Sequence, residues 1–278
     1  MQTSTLNLSK IFFCNLRIFT NKFKCLLSPP TLDQLVEFLP IILSILASVI
    51  VGISKAGVKG IGVFFVILLA YAYEPKISTG ILLPLLIVGD LFAIIYYKKN
   101  IVWKYIFQLI PWMAIGVLFA TLTGDIIDEI AFKRLMSIVI FLSVLIMLFM
   151  NDKMSNLISK HWSFGPLLGG AAGFTTMIGN AAGPLANIYF IAMKVKKKPF
   201  ISSSAYIFFL INVIKLPFHI FFWKTINYYS LIESLKMIPF VFLGLIIGVY
   251  TVDIITEKYY SKLILILTAV SSIFFLFS

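Results

Sequence analysis

The chain has 278 residues, of which 60% are hydrophobic and only 12% are charged. A soluble domain has about 45–50% apolar and about 25% charged residues, so this composition excludes an ordinary soluble domain. The net charge of +12 comes mostly from lysines in loops between apolar runs, where basic residues orient a membrane protein, so nucleic-acid binding is not predicted. Cys14 and Cys25 both lie in the N-terminal tail without disulfide or metal-ligand spacing, so no metal or other cofactor is expected.

Ten apolar segments follow a basic N-terminal tail. Runs of about 20 apolar residues are typical of membrane-spanning helices, and these runs lack the alternation of a transmembrane barrel. We therefore predict an all-α polytopic membrane protein, an integral multi-pass protein of the cell (inner) membrane. The segments lie near 35–53, 58–73, 77–97, 103–124, 132–150, 162–178, 181–193, 201–222, 231–252 and 262–278.

The two sets of five segments repeat each other. Pro111 matches Pro239, and Gly116 matches Gly244, at one spacing of 128 residues. Matches at this spacing continue through loops, which shared hydrophobicity does not explain, and internal duplication is a feature of secondary transporters. The first two segments of each half return the chain to its starting side and three more cross, so we favour two homologous halves related as inverted repeats. The predicted domains are a basic N-terminal tail over 1–34, a first membrane repeat over 35–150, a connecting loop over 151–161 and a second membrane repeat over 162–278.

A glycine-rich stretch lies near the start of each half. Residues 52–62 read Gly-Ile-Ser-Lys-Ala-Gly-Val-Lys-Gly-Ile-Gly, and residues 173–184 read Gly-Phe-Thr-Thr-Met-Ile-Gly-Asn-Ala-Ala-Gly-Pro. Glycine and proline interrupt helices, and irregular backbone at membrane depth survives only inside protein or along a cavity. We therefore expect glycine-broken helices or hairpins that form the paired halves of one site, although close helix packing alone would also use glycines.

Four ionisable residues lie within or beside the predicted spans: Lys55, Lys59, Asp90 and Lys215. Such residues are costly in a membrane and are therefore functional candidates. Internal alignment places Asp90 and Lys215 at almost equivalent depths in the two halves. They are expected either to form a buried ion pair that holds the halves together or to act in ion coupling. Lys59 has a simpler interpretation, in which its side chain reaches the membrane interface.

The residue types around the two glycine-rich stretches favour a site for a small oxyanion. Broken helices present free backbone N–H groups and positive helix ends, and glycines let a ligand approach the backbone. Asn212 has a second interpretation, as a helix cap or an interhelical hydrogen-bond donor. No catalytic residue is predicted. The expected substrate-binding residues are Ser54, Lys55, Gly57, Thr175, Thr176, Asn180, Gly183, Asn212 and Lys215.

Motifs in both halves carry a family resemblance. Residues 52–62 are close to a Gly-x-Ser-Lys-Gly-Gly-x-x-Gly-x-Gly pattern, and the second half has Gly-Phe-Thr-Thr at Gly173, Gly-Pro at Gly183 and Asn-x-x-Lys-x-Pro at Asn212. Together with Asp90 in the third segment, these motifs resemble the sulfite exporter TauE/SafE family of membrane transporters over most of the chain. The resemblance implies transport of sulfite or organosulfonates. The departures from the family pattern are Ala56, Lys59 and Ala182.

The predicted function is a secondary transporter of small anions, an exporter of sulfite or organosulfonates that works by alternating access around a midplane site. The alternatives are import, transport of another small anion such as a carboxylate, or a non-transporting membrane scaffold. An enzyme is not predicted, because the spans hold no His/Asp/Glu cluster. The expected partners are a small anionic substrate and the lipid bilayer. Proton coupling through Asp90 and a homo-oligomer stay open.

Overall fold

The computed structural model describes residues 32–128 and 163–256, with scattered residues between 130 and 149 and between 259 and 266. Every regular element in these ranges is helical, and five of the helices are long and apolar enough to cross a membrane. The predicted all-α polytopic class is therefore confirmed. Almost all of the predicted N-terminal tail, the connecting loop and most of the fifth apolar segment of each half lie outside the described residues.

Eight α-helices lie within the described ranges. The third is followed by a 3₁₀ turn over Lys98–Asn100, and the seventh continues into a π-helical turn over Phe218–Phe222. The chain divides into two units, Met1–Leu39 and Pro40–Ser278, and the described part of the first unit is the beginning of the first helix. The helices are α1 (Leu32–Lys55), α2 (Gly62–Ala72), α3 (Pro75–Tyr97), α4 (Trp103–Ile126), α5 (Phe164–Gly179), α6 (Ala182–Ala192), α7 (Lys197–Pro217) and α8 (Tyr228–Ile254).

Two short interruptions separate α1 from α2 and α5 from α6. In the first interruption, residues 56–61, Gly57 and Gly60 have φ angles of 122° and 99°, which glycine adopts without steric cost. In the second, residues 180–181, Asn180 has a φ of 51° and ends α5 in a left-handed conformation. The helices that follow have 11 residues each and are about 16 Å long. Neither can cross a hydrocarbon core of about 30 Å alone.

Glycines bring α4 against α5, and α8 against α1, at backbone distance. A Cβ atom on Gly116 of α4 would overlap the backbone of Gly170 in α5, and one on Gly244 of α8 would overlap the backbone of Val49 and Gly52 in α1. Only a residue without a side chain permits such close packing. The two glycines that match at a spacing of 128 in the sequence therefore make matching contacts. In each case the partner is the helix that precedes an interruption.

A lysine near the start of α3 and another at the start of α7 each bind the C-terminal end of a neighbouring helix. Lys76 Nζ donates a hydrogen bond to the carbonyl oxygen of Gly124, at 3.0 Å. Lys197 Nζ donates to the carbonyl oxygens of Val252 and Ile255. The last carbonyls of a helix lack partners within the helix, so cationic side chains stabilise them. Gly124 and Val252 are also separated by the spacing of 128 residues.

Tyr73 lies in the turn between α2 and α3 and connects this turn with α8. Its hydroxyl donates a hydrogen bond to Oε2 of Glu233, at 3.1 Å. Burial is the main cause that raises the pKa of Tyr73 to about 12. The phenol therefore stays protonated at neutral pH and acts as a donor to the carboxylate.

Candidate functional site

A cavity of about 50 Å³ lies where the two interruptions come together. A single water needs about 10–15 Å³ of such space, so the cavity has room for a solute of roughly three to five non-hydrogen atoms. Among the described residues, no aspartate or glutamate lines it. The lining residues are Ser54, Lys55, Lys59, Gly60, Gly62, Phe65, Leu86, Thr176, Asn180, Ala181, Ala182, Gly183, Pro184, Asn187, Phe208 and Asn212.

The N-terminal ends of α2 and α6 both lie at this cavity. Gly62 begins α2 and Ala182 begins α6, and both residues line the cavity. The preceding residues, Ile61 and Ala181, provide no side-chain hydrogen bond that would cap the helices. The first N–H groups of an α-helix have no partner within the helix and carry the positive end of its dipole. Two such ends at one cavity form an environment that favours an anion.

Gly183, the second residue of α6, leaves open space on the cavity wall. A Cβ atom built at this position would meet no other heavy atom within 4 Å. Packing therefore does not require glycine here, in contrast to Gly173, where a Cβ atom would overlap the backbone of Met113. The absence of a side chain at Gly183 exposes the start of α6 to the cavity.

A buried network connects the first interruption with α3 and α7. Lys55 Nζ, at the end of α1, forms an ion pair with Oδ1 of Asp90 in α3, at 2.7 Å. Asn212 Nδ2, from α7, donates to Oδ2 of the same carboxylate, at 2.9 Å. Asp90 is fully buried. Both of its carboxylate oxygens are thus engaged, and the charge of Lys55 is balanced by a direct partner. Asn212 thus forms an interhelical hydrogen bond and also lines the cavity.

The expected pairing of Asp90 with Lys215 is corrected by this arrangement, because the ion pair of Asp90 is with Lys55. The physical reason lies one residue earlier, at Gly89. A Cβ atom there would come within 2.8 Å of Lys55 Cγ, so the glycine leaves room for the lysine side chain to lie across α3. Asp90 and Lys215 are predicted to lie at similar depths in the two halves, but depth alone does not determine which lysine contacts the carboxylate.

Lys215 belongs to the second interruption. Its Nζ donates to Oδ1 of Asn180 and lies 3.4 Å from Oγ1 of Thr176. The side chain is fully buried and lies behind these two cavity-lining residues. Within the described ranges, its hydrogen-bond acceptors are therefore neutral. Lys215 therefore contacts two residues of the cavity wall without lining the cavity itself.

Lys59 lies on the cavity wall, with only 4% of its surface exposed. This corrects the expectation that its side chain reaches the membrane interface. The turn through Gly57 and Gly60 places Lys59 inside, and its Nζ lies 5.7 Å from the centre of the Phe208 ring. Lys55 Nζ lies 5.0 Å from the same ring centre. The face of one aromatic ring thus attracts two ammonium groups.

Most of the predicted site residues are brought together, and three are not. Gly57 and Thr175 do not line the cavity, nor does Lys215. The Thr175 hydroxyl donates within its own helix, to the carbonyl oxygen of Ala172 at 3.1 Å. Asn187 was missed by the sequence reasoning, although an amide inside an apolar run is a recognisable signal. The predicted residues that do line the cavity are Ser54, Lys55, Thr176, Asn180, Gly183 and Asn212.

The all-helical fold, the five membrane-length helices and the cavity lined in part by lysines and amides define a polytopic membrane protein with a cavity between its helices. A family model described as sulfite exporter TauE/SafE matches residues 42–275. The chain belongs to this family of membrane transporters. Comparisons with curated proteins and with solved structures gave no match.

Proposed function

We propose that this chain is a secondary transporter that exports small anions, sulfite or organosulfonates, and that the cavity between the two interruptions is its substrate site. The observation that carries this proposal is the convergence of two uncapped helix N-termini on one cavity that two lysines line. Each feature attracts negative charge by itself. Their convergence on a space suited to a few non-hydrogen atoms favours a small oxyanion.

The charge balance around the cavity supports an anion as the ligand. Lys55, Lys59 and Lys215 are all buried, and Asp90 is the one acidic side chain in their network among the described residues. With all four groups ionised, the cluster has an excess of two positive charges. A buried charge without a partner is costly, so a bound anion of one or two charges lowers that cost. The hydroxyls of Ser54 and Thr176 and the neighbouring amides add neutral donors for its oxygens.

The proposed mechanism is alternating access of one repeat against the other around this site. The matching contacts of Gly116 and Gly244, and of Lys76 and Lys197, support a first repeat over 35–150 and a second over 162–278. In each contact of the two glycines, a helix from one half packs on the interrupted helix of the other. A rocking movement between the halves would therefore change access to the cavity from both interruptions together.

The membrane potential supplies a driving force for export. An inside-negative potential favours the exit of an anion by about 2.3 kcal/mol per charge per 100 mV. If protons are coupled, Asp90 is the proposed carrier, since it is buried and bonded to Lys55 and Asn212. Transport by the wild-type protein that does not respond to a pH gradient would remove this coupling from the proposal.

Thermal unfolding of the purified protein against a panel of anions tests the proposed function. A ligand that binds only the folded state stabilises it by about 2.7 kcal/mol at a concentration of 100 times its Kd. The panel holds sulfite, sulfate, thiosulfate, small sulfonates and carboxylates at equal ionic strength. We expect sulfite or a sulfonate to raise the melting temperature most. Stabilisation by carboxylates alone would still support a transporter, but its substrate would be a carboxylate and not sulfite or a sulfonate. No stabilisation by any of these anions would favour the scaffold alternative.

A further inference from the structure

The lysines around the cavity differ in what balances their charge. Lys55 has Asp90 at 2.7 Å, and Lys215 lies behind Thr176 and Asn180 and binds both. Lys59 lines the cavity itself, and its ammonium group lies over the ring face of Phe208. Among the described residues, no ion pair or hydrogen bond neutralises or occupies Lys59 Nζ. A cation held over a ring face keeps its N–H donors available for a ligand.

Asn187 supplies a second donor without a partner, from the other half of the chain. It lies in α6, four residues after Gly183, and 2% of its surface is exposed. Its Nδ2 is buried and makes no hydrogen bond within the part of the chain that the structure describes. Buried amide donors are nearly always bonded in folded proteins, so an unbonded one needs an explanation. Because Asn187 lines the cavity, a ligand oxygen provides one.

We propose that Lys59 and Asn187 bind the substrate anion directly and determine whether the site prefers one or two negative charges on the ligand. This inference rests on the proposed function. Lys59 supplies the counter-charge, while Lys55 acts as a positioning residue that Asp90 already neutralises. Asn187 donates its amide N–H to an oxygen of the same anion. The anion therefore receives one charged contact from the first half of the chain and one neutral contact from the second.

This assignment predicts a preference for divalent anions. With Lys55 neutralised by Asp90, the buried charges of Lys59 and Lys215 are the excess that a ligand can balance. A second negative charge on the ligand balances more of this excess than a single charge does. Sulfate, with two charges, should bind more tightly than methanesulfonate, which has one charge and the same number of non-hydrogen atoms. Without the charge of Lys59, most of this difference should disappear.

The test is calorimetric binding of sulfite, sulfate and methanesulfonate to the full-length protein in lipid nanodiscs. The variants are Lys59→Gln, Lys59→Arg and Asn187→Leu, with Lys198→Gln as a matched control because Lys198 is exposed on the surface. Loss of a charged hydrogen bond weakens binding by roughly tenfold or more, and loss of a neutral one by about two- to tenfold. Melting temperatures measured without ligand show whether each variant is folded, and Lys59→Met replaces Lys59→Gln if the latter is not.

We expect Lys59→Gln to weaken sulfate binding by at least tenfold and methanesulfonate binding by less. Lys59→Arg should retain most of the affinity, and Lys198→Gln should match the wild type. Asn187→Leu should weaken all three ligands by a similar factor. Unchanged sulfate affinity in both Lys59→Gln and Asn187→Leu, while the wild type binds, would overturn this inference and leave the proposed function intact. If the wild type binds none of the anions, the inference and the proposed function both fail.

Discussion

Lys55 Nζ lies 2.7 Å from Oδ1 of Asp90, and both side chains are buried. The pair joins the end of α1 to the middle of α3, and Asn212 of α7 donates to the other carboxylate oxygen. The first interruption is thus held in place by one helix from each predicted half. This network is structural support for the cavity, and it separates the roles of the three buried lysines.

Replacing Lys55 alone should destabilise the protein strongly. Lys55→Met leaves the fully buried Asp90 carboxylate without its counter-charge, and removing one partner of a buried pair costs about 3–5 kcal/mol. The check is the melting temperature in detergent or lipid. In the double variant Lys55→Met/Asp90→Asn, no charge is left unpaired, so most of the lost stability should return. A Lys55→Met protein as stable as the wild type would contradict the role assigned to the pair.

The same substitution at Lys215 should have the opposite effect on stability. Lys215 is fully buried, and its described acceptors are neutral, so Lys215→Met removes the cost of a buried charge without leaving a carboxylate behind. We expect a melting temperature equal to or above that of the wild type, together with several-fold weaker anion binding. The binding falls because Thr176 and Asn180 lose the group that holds them. Strong destabilisation by Lys215→Met would instead indicate a structural ion pair that involves Lys215.

Two glycines of the second half should respond differently to alanine. Gly183→Ala adds a methyl group to open space on the cavity wall, so the fold should be unaffected while anion binding weakens. Gly173→Ala places a Cβ atom against the backbone of Met113, and such overpacking costs about 1–3 kcal/mol or more. Melting temperature and binding measured on both variants separate the two effects. Full affinity in Gly183→Ala would show that the substrate does not approach the start of α6.

The two lysines that cap α4 and α8 should contribute comparably to stability. Lys76→Met and Lys197→Met each remove charge-assisted hydrogen bonds to C-terminal carbonyls, so each should cost about 1–3 kcal/mol. Lys98→Met is the matched control, because Lys98 is exposed. Melting temperatures check this prediction. An effect at only one of the two capping lysines would weaken the argument that the halves are built alike.

The helices could be predicted closely from the sequence because apolar length marks them. The third segment, placed near 77–97, is the helix Pro75–Tyr97, and the fourth, placed near 103–124, is Trp103–Ile126. Proline and lysine-rich loops provide clear boundaries between long apolar runs. The positions of loops and short turns can therefore be predicted from composition, but the contacts between helices cannot.

The composition of the site was partly predictable, but its pairings were not. Glycine-rich stretches pointed to Ser54, Thr176 and Asn180, all of which line the cavity. Depth in a span says nothing about the direction in which a side chain points. For this reason the sequence suggests Lys215 and not Lys55 as an ion-pair partner for Asp90, and it favours the membrane interface for Lys59. Gly89, which admits the Lys55 side chain, has no distinguishing mark in the sequence.

Anion flux through the protein in proteoliposomes shows whether the protein exports small anions through the cavity at the start of α6. Vesicles loaded with labelled sulfite, a sulfonate or a carboxylate are compared with protein-free vesicles and with vesicles that contain Gly183→Ala, a variant expected to fold normally. We expect protein-dependent efflux of sulfite or a sulfonate that is clearly reduced in Gly183→Ala. Efflux of all three anions at the protein-free rate, from vesicles that contain folded protein, would contradict it.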